Sequence, residues 1–307
     1  LDGKKYMSSI FINIAAYHDY ELSKTIDSLI NNSSKNNDLF FGVHYVYEDE
    51  DNIGIPKYSN VDYLVSKAPE NLGPGTGRHL ANTLYKGQDY YMVIDSHSRV
   101  IKNWDEYLIA DILMYQSEGH LKPVLTCYPA AYWYDEEGNE VLGDNYGPQN
   151  IDFNKGEYFQ NLFKTELNTS NLGCINNNKY QKSLSGGFSF TISPYIKLNK
   201  EIAFAEEFAV GAMLYTNGFD LLIPTKLVIY HYYSNAAIGK FEEHKRRSIW
   251  KYEKNEKVLS EIFKISKEVN YKMFNDNIVA EGFLGSERTL DEYAEYANLN
   301  FKNKELL

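Results

Sequence analysis

Along the first 130 residues, short apolar runs alternate with stretches of helical periodicity. Ser9 to Ala16 (Ser-Ile-Phe-Ile-Asn-Ile-Ala-Ala) is a nearly unbroken run, the pattern of a strand buried on both faces. A helix is expected from about Tyr20 to Ile30, ended by Asn31-Asn32-Ser33-Ser34. Leu39 to Tyr47, rich in β-branched and aromatic residues, reads as a second strand, and Asp62 to Ser66 as a short third. Gly73-Pro74-Gly75-Thr76-Gly77 reads as a turn that opens a helix over Arg78 to Tyr85. The run Tyr90-Tyr91-Met92-Val93-Ile94 predicts a strand ending at Asp95, followed by a helix over Trp104 to Ser117 and a strand over Val124 to Tyr128. Strands and helices in this alternation predict a parallel, doubly wound α/β sheet.

The pattern changes after Pro129. Asp135-Glu136-Glu137-Gly138-Asn139 looks like a hairpin tip, and residues 144–183 form a polar, Asn-rich insertion. Sheet signals return at Gly187 to Ile192. A helix is expected near Glu206 to Thr216, with short strands near Leu221 and over Leu227 to Tyr230. From about Phe241 the chain reads as helical and amphipathic, with a last helix around Leu290 to Ala297. The organisation expected is a catalytic domain over 1–240 and a C-terminal helical extension over 241–307 packed on the same domain.

Composition narrows the function. The 307 residues are 43% apolar, with no apolar stretch long enough to span a bilayer and no signal-peptide pattern. An opening Leu is compatible with excision from a longer protein and with removal of a leader. A net charge of −11 argues against a nucleic-acid partner, and the basic cluster Lys245-Arg246-Arg247 is too short to change that. The acidic run Glu48-Asp49-Glu50-Asp51 reads as a solvated loop. Cys127 and Cys174 are too few for a disulfide framework or a cysteine-ligated zinc site, which points to a reducing, cytoplasmic compartment.

The candidate chemistry centres on Asp95-Ser96-His97. If the strand runs on through the triplet, Asp95 and His97 face one side and Ser96 the other. A carboxylate and an imidazole there could ligate a divalent cation able to hold a diphosphate; the plain alternative is a hydrogen-bonded strand end. His231, after the apolar Val228-Ile229-Tyr230, is the best third ligand, and mixed Asp/His ligation with open positions suits Mn²⁺, or Mg²⁺, better than structural zinc. Arg78, in the helix that the glycine turn opens, is either a neighbour of a diphosphate or a surface arginine. The glycines themselves fit neither a dinucleotide fingerprint nor a P-loop. Glu206-Glu207 are paired carboxylates at a helix start, where acids are favoured in any case. Ser185-Gly186-Gly187 permits close backbone approach to a ligand, as an ordinary turn also would.

Several of these segments together resemble the polypeptide α-N-acetylglucosaminyltransferases, relatives of the enzymes that glycosylate hydroxyproline on cytoplasmic proteins. They are Ile12-Asn13-Ile14-Ala15-Ala16-Tyr17-His18-Asp19, Gly73-Pro74 with Gly77-Arg78, Asp89 to Arg99 around the triplet, Trp104-Asp105, Glu206-Glu207, Tyr230-His231 and Leu284 to Leu290. The resemblance runs from about residue 9 to 301. It implies a GT-A fold, a Rossmann-like mixed sheet flanked by helices, and a retaining, metal-dependent transferase that moves a sugar, N-acetylglucosamine first, from a UDP-sugar to a hydroxyl of a protein or glycan acceptor. Under the resemblance Asp95, His97 and His231 are the metal ligands. Ala15, Ala16, Tyr17, Arg78, Ser96, Gly186 and Gly187 lie around the donor, and Glu206 or Glu207 positions sugar or acceptor. Two positions depart from the family pattern: His18, where arginine is common, and Ala205, where glycine is common. A transferase using UDP-glucose or UDP-galactose and a catalytically silent carbohydrate-binding domain are the alternatives.

Overall fold

The computed structural model describes residues 7–48, 55–151, 178–192, 195–204, 206–233, 256–278, 283–300 and 305–306. The fold is α/β, a mixed sheet flanked by helices, which is the GT-A arrangement that the family resemblance implied. Strand β1 (Ser8–Tyr17) is central and pairs in parallel with β2 (Asn37–Tyr47) and β4 (Tyr90–Asp95); β3 (Val61–Lys67) closes that edge on β2. On the other side of β4 come β9 (Phe188–Ile192), β6 (Pro123–Thr126) and β10 (Asp220–Leu222), giving the order β10-β6-β9-β4-β1-β2-β3.

The near-continuous apolar run of β1 serves both faces. Ile10, Ile12 and Ile14 join the cluster formed with Leu22, Ile26 and Leu29 of α1 (Leu22–Asn32) and Trp104, Leu108 and Ile112 of α3 (Trp104–Ser117). Phe11 faces the opposite way with Tyr91 and Val93, as a period of two requires. α2 (Pro74–Asn82) packs on β1 and β2. α4 (Glu206–Thr216) is apolar nearly all round. Phe208 and Met213 meet α5 (Glu256–Asp276) and α6 (Leu290–Ala297), while Val210 and Leu214 meet Val124 and Leu221. A helix buried on all sides has no polar face to display.

The structure departs from the sequence reading in three places. The large sheet is not all parallel: β9 runs antiparallel to both β4 and β6. The chain leaves β6 for a second sheet and re-enters at the same end, through Ser185-Gly186-Gly187, where the Ser185 N–H donates to Thr126 Oγ1 at 2.9 Å. A strand that re-enters at the end where its neighbour left runs back along it, and antiparallel pairing follows. α2 starts at Pro74, not Arg78, with proline at its first position, where a missing N–H costs nothing. Gly75 sits inside that first turn because a Cβ there would lie 1.8 Å from the Ile202 carbonyl oxygen. Third, Glu48 does not sit in a solvated loop. It is buried and accepts from the Tyr17 hydroxyl, while residues 49–54 fall outside the described residues.

The second sheet has the order β5-β11-β7-β8, from β5 (Ser98–Val100), β11 (Ile229–Tyr232), β7 (Ala130–Tyr134) and β8 (Glu140–Leu142). β7 and β8 form the hairpin whose tip the sequence marked. β12 (Leu299–Asn300) and β13 (Glu305–Leu306) make a short antiparallel pair. The core of the 144–183 insertion with Cys174, the cluster Lys245-Arg246-Arg247 and Ala205 lie outside the described residues. Among the described residues no helix is long and apolar enough to cross a membrane.

Candidate active site

The carboxyl ends of β1 and β4 lie side by side, with Ala15 opposite Asp95 in the register. In open α/β sheets this edge is where ligands bind. Asp95 is the last residue of β4. His97 is not on that strand: the chain bends at Ser96 and enters the second sheet at Ser98. There β5 pairs antiparallel with β11, Ser98 opposite His231, and the Tyr232 N–H donates to the His97 carbonyl at 3.0 Å. Two residues separated only by Ser96 are thus joined by a strand pairing to one 134 positions beyond His97, and the donor atoms of Asp95, His97 and His231 all lie within 4.8 Å of one another.

The protons in this cluster can be counted. His97 Nε2 and His231 Nε2 are 2.8 Å apart, and His231 Nε2 is 3.1 Å from Asp95 Oδ2. Two imidazole nitrogens at that separation need a proton between them or a shared cation. His97 Nδ1 lies 2.6 Å from Asp19 Oδ2. An ionised carboxylate only accepts, so Nδ1 carries the proton and Nε2 presents its lone pair. The His231 N–H then fills the space between Asp95 and His97. One carboxylate oxygen and two imidazole nitrogens, converging without a thiolate, fit a divalent cation.

Arg78 organises the next layer. Its guanidinium donates to Asp95 Oδ1 at 2.9 Å and to Glu206 Oε1 at 2.7 Å, and the side chain is buried. The surface-arginine reading is therefore overturned, while both terminal nitrogens are engaged with protein carboxylates. The helix that bears it is anchored by Asn13, whose amide donates to the Arg78 carbonyl at 2.8 Å and to the Tyr91 hydroxyl at 2.7 Å. The Gly75 N–H at the start of α2 donates to the Ala203 carbonyl at 3.0 Å. Burial alone would raise the Asp95 carboxyl, but the hydrogen bond to His231 and the charge of Arg78 outweigh it and hold it well below the usual carboxylate range.

Glu206 and Glu207 divide their work. Glu206 is the counter-ion of Arg78, and Glu207 Oε1 accepts the Gly186 N–H at 2.6 Å, tying α4 to the turn before β9. Burial raises both. Glu206 is opposed mainly by Arg78, whereas burial and the neighbouring Glu206 push Glu207 to about 7. Gly187 lets the same turn pass close to the cluster, since a Cβ there would lie 3.1 Å from Asp95 Oδ2. Ser96 is buried, its hydroxyl donating to Asp19 Oδ2 at 2.6 Å and so directed into the protein. Ala15 and Tyr17 are half-buried, Ala16 is buried, and His18 follows at φ 42° in the turn that carries Asp19. Asp19 is the functional candidate that sequence reasoning passed over. Its signal was position alone, an acid two residues beyond the carboxyl end of a central parallel strand.

Among solved structures the chain is similar to S. aureus TarS, at 15% identity over 74% of this chain and 37% of that one, with a TM-score of 0.41. It is also similar to TarS residues 1–349 in complex with UDP-GlcNAc (14% identity, 97% of this chain, 72% of that one, TM-score 0.43) and to GalNAc-T7 with UDP, GalNAc and Mn²⁺ (13%, 74%, 44% and 0.41). The chain spans less than half the length of the full TarS and GalNAc-T7 structures. A comparison with curated proteins finds no match. The family model for glycosyltransferase (GlcNAc) matches residues 9–63 and 57–303, most of the chain, and the chain belongs to this family of transferases.

Proposed function

We propose that this chain transfers N-acetylglucosamine from UDP-N-acetylglucosamine, with a divalent cation and with retention of configuration, to a hydroxyl of a protein or glycan acceptor. The observation that carries the reading is the convergence of Asp95, His97 and His231 within 4.8 Å at the ligand-binding edge of the sheet, in a chain of this family. Those three side chains would hold Mn²⁺ or Mg²⁺, whose charge would neutralise the departing diphosphate. The protein's own residues supply the frame. Arg78 fixes Asp95 through Oδ1 and leaves Oδ2 turned to the histidines. Ala15, Ala16 and Tyr17 would meet the nucleotide, a role supported by their position at the strand end beside Asp95. Gly186 and Gly187, where a Cβ would crowd Glu207 and Asp95, would bring bare backbone up to the sugar, and Glu206 and Glu207 would set the floor on which sugar and acceptor are oriented.

Retention is read as same-face attack. Glu206 is engaged with Arg78 and Glu207 with the Gly186 N–H, which leaves neither poised as a covalent nucleophile. We further take 1–240 as the transferase domain and 241–307 as a helical extension packed on the same domain; the core that α5 and α6 share with α4 supports that packing.

The test is release of UDP and transfer of sugar from UDP-N-acetylglucosamine, UDP-glucose and UDP-galactose, with Mn²⁺ and with chelator. Turnover is expected with UDP-N-acetylglucosamine and Mn²⁺, and Asp95→Ala should abolish it. Full activity of that variant, or activity indifferent to chelator, refutes the reading.

A further inference from the structure

We propose that Asp19 is a positioning residue of the cation site, acting through His97 and through no direct contact with the ion. The inference rests on the metal-dependent reading above and concerns a residue outside the three ligands. Asp19 lies in the turn between β1 and α1 and is 4% exposed. Its Oδ2 is 2.6 Å from His97 Nδ1 and accepts from the Ser96 hydroxyl at 2.6 Å, while Oδ1 accepts the Glu21 N–H at 2.9 Å. With both oxygens engaged, the carboxylate is fixed on His97 and cannot swing toward the ion.

Two consequences follow for His97. The tautomer is set: the proton is kept on Nδ1 and the Nε2 lone pair faces His231 Nε2 and the cluster. The ring plane is set as well, because the turn on either side of it is clasped. The Thr25 hydroxyl donates to the Ser96 carbonyl at 2.7 Å and accepts the Ser98 N–H at 2.9 Å, so α1 holds the backbone from which His97 projects. The Asp19 turn is itself anchored, since Glu21 accepts from the Arg99 guanidinium and from the Tyr132 and Tyr134 hydroxyls at 3.1 and 2.8 Å. Carboxylates behind metal-ligating histidines orient the ring and raise its basicity, and their loss typically lowers metal affinity about 10–100-fold.

The experiment measures Mn²⁺ binding by electron paramagnetic resonance in the presence of UDP, on the whole chain, for the wild type and for Asp19→Asn. Thermal melting without metal runs in parallel. Asparagine keeps the volume of the side chain and one accepting oxygen, so the metal-free chain is expected to stay folded with a lowered melting point, while Mn²⁺ affinity falls by about 10–100-fold at a temperature where both proteins are folded. Long-range ¹H–¹⁵N spectra of histidine-labelled wild type read the tautomer directly, with Nδ1–H expected on His97. Equal Mn²⁺ affinity in the two proteins overturns the role of Asp19 while leaving the metal site intact. If the wild type binds no Mn²⁺ in the presence of UDP, both the metal-dependent reading and this inference fall. Should Asp19→Asn not fold, the wild-type spectrum decides, and an Nε2–H tautomer on His97 overturns the proposal.

Discussion

Burial and a neighbouring carboxyl make ionisation of Glu207 costly to the fold, and its replacement by glutamine isolates that cost. Its Oε1 accepts the Gly186 N–H at 2.6 Å beside Glu206, and burial together with that neighbour raises it from 4.5 to about 7. Glu207→Gln keeps an oxygen that can accept the same N–H but has nothing to ionise. Between those two values the folded chain holds a proton that the unfolded chain has released. Wild-type stability must therefore fall as pH rises through this window and level off above it. At about 1.4 kcal/mol per pH unit the gap corresponds to about 3 kcal/mol. The variant lacks this dependence, so its stability advantage over wild type should widen by about 3 kcal/mol between about pH 4 and 8. Urea unfolding across that range, with chelator present so that no ion contributes, measures the difference. A gap that does not change with pH would refute the placement of Glu207 as a buried carboxyl beside Glu206.

Arg78→Met removes the cation shared by Asp95 and Glu206 and should cost about 3–5 kcal/mol near neutral pH in urea unfolding. The loss should shrink at low pH as Glu206 and Glu207 take up protons, and a pH-independent loss would count against the ion pairs. Gly75→Ala forces a Cβ to 1.8 Å from the backbone oxygen of Ile202, which no rotamer relieves. A loss of about 3 kcal/mol or more is expected in thermal or urea unfolding, and a neutral result would refute the α2 contact.

Much of the fold was legible because the chain's periods are clean. The helix over Trp104 to Ser117 and the last helix over Leu290 to Ala297 have the limits that periodicity predicts, and β1, β2 and β4 fall within two residues of their apolar runs. The direction of β9 was not legible. Five apolar and hydroxylated residues read the same way in either orientation, and direction is decided by where the preceding loop returns the chain. The start of α2 was hidden for a different reason. Glycine has poor helix propensity, and only the tertiary approach of Ile202 and Ala203 explains why Gly75 belongs inside the helix. Within the site, Asp95 and His97 stood out by position, and His231 could be nominated from its strand end. Their meeting depends on the pairing of β5 with β11, a long-range event that local spacing does not encode. Asp19 escaped because its significance lies in an oxygen 2.6 Å from an imidazole 78 residues away.

That β5–β11 pairing also bears on how the molecule is held together. His97 stands where the chain leaves the large sheet and His231 stands on the small one, so a cation bound by both with Asp95 would act as a reversible cross-link. It would close a loop of more than a hundred residues, the two histidines standing 134 positions apart. Loops of that length are entropically expensive to close, and a ligand that binds only the closed form returns RT ln(1 + [L]/Kd), about 2.7 kcal/mol at a hundredfold excess over Kd. Loading the site and docking the small sheet then become one equilibrium. The hairpin β7–β8, which supplies none of the three ligands but sets Ala131 of β7 opposite His231 of β11, would gain protection from exchange each time the cation arrives.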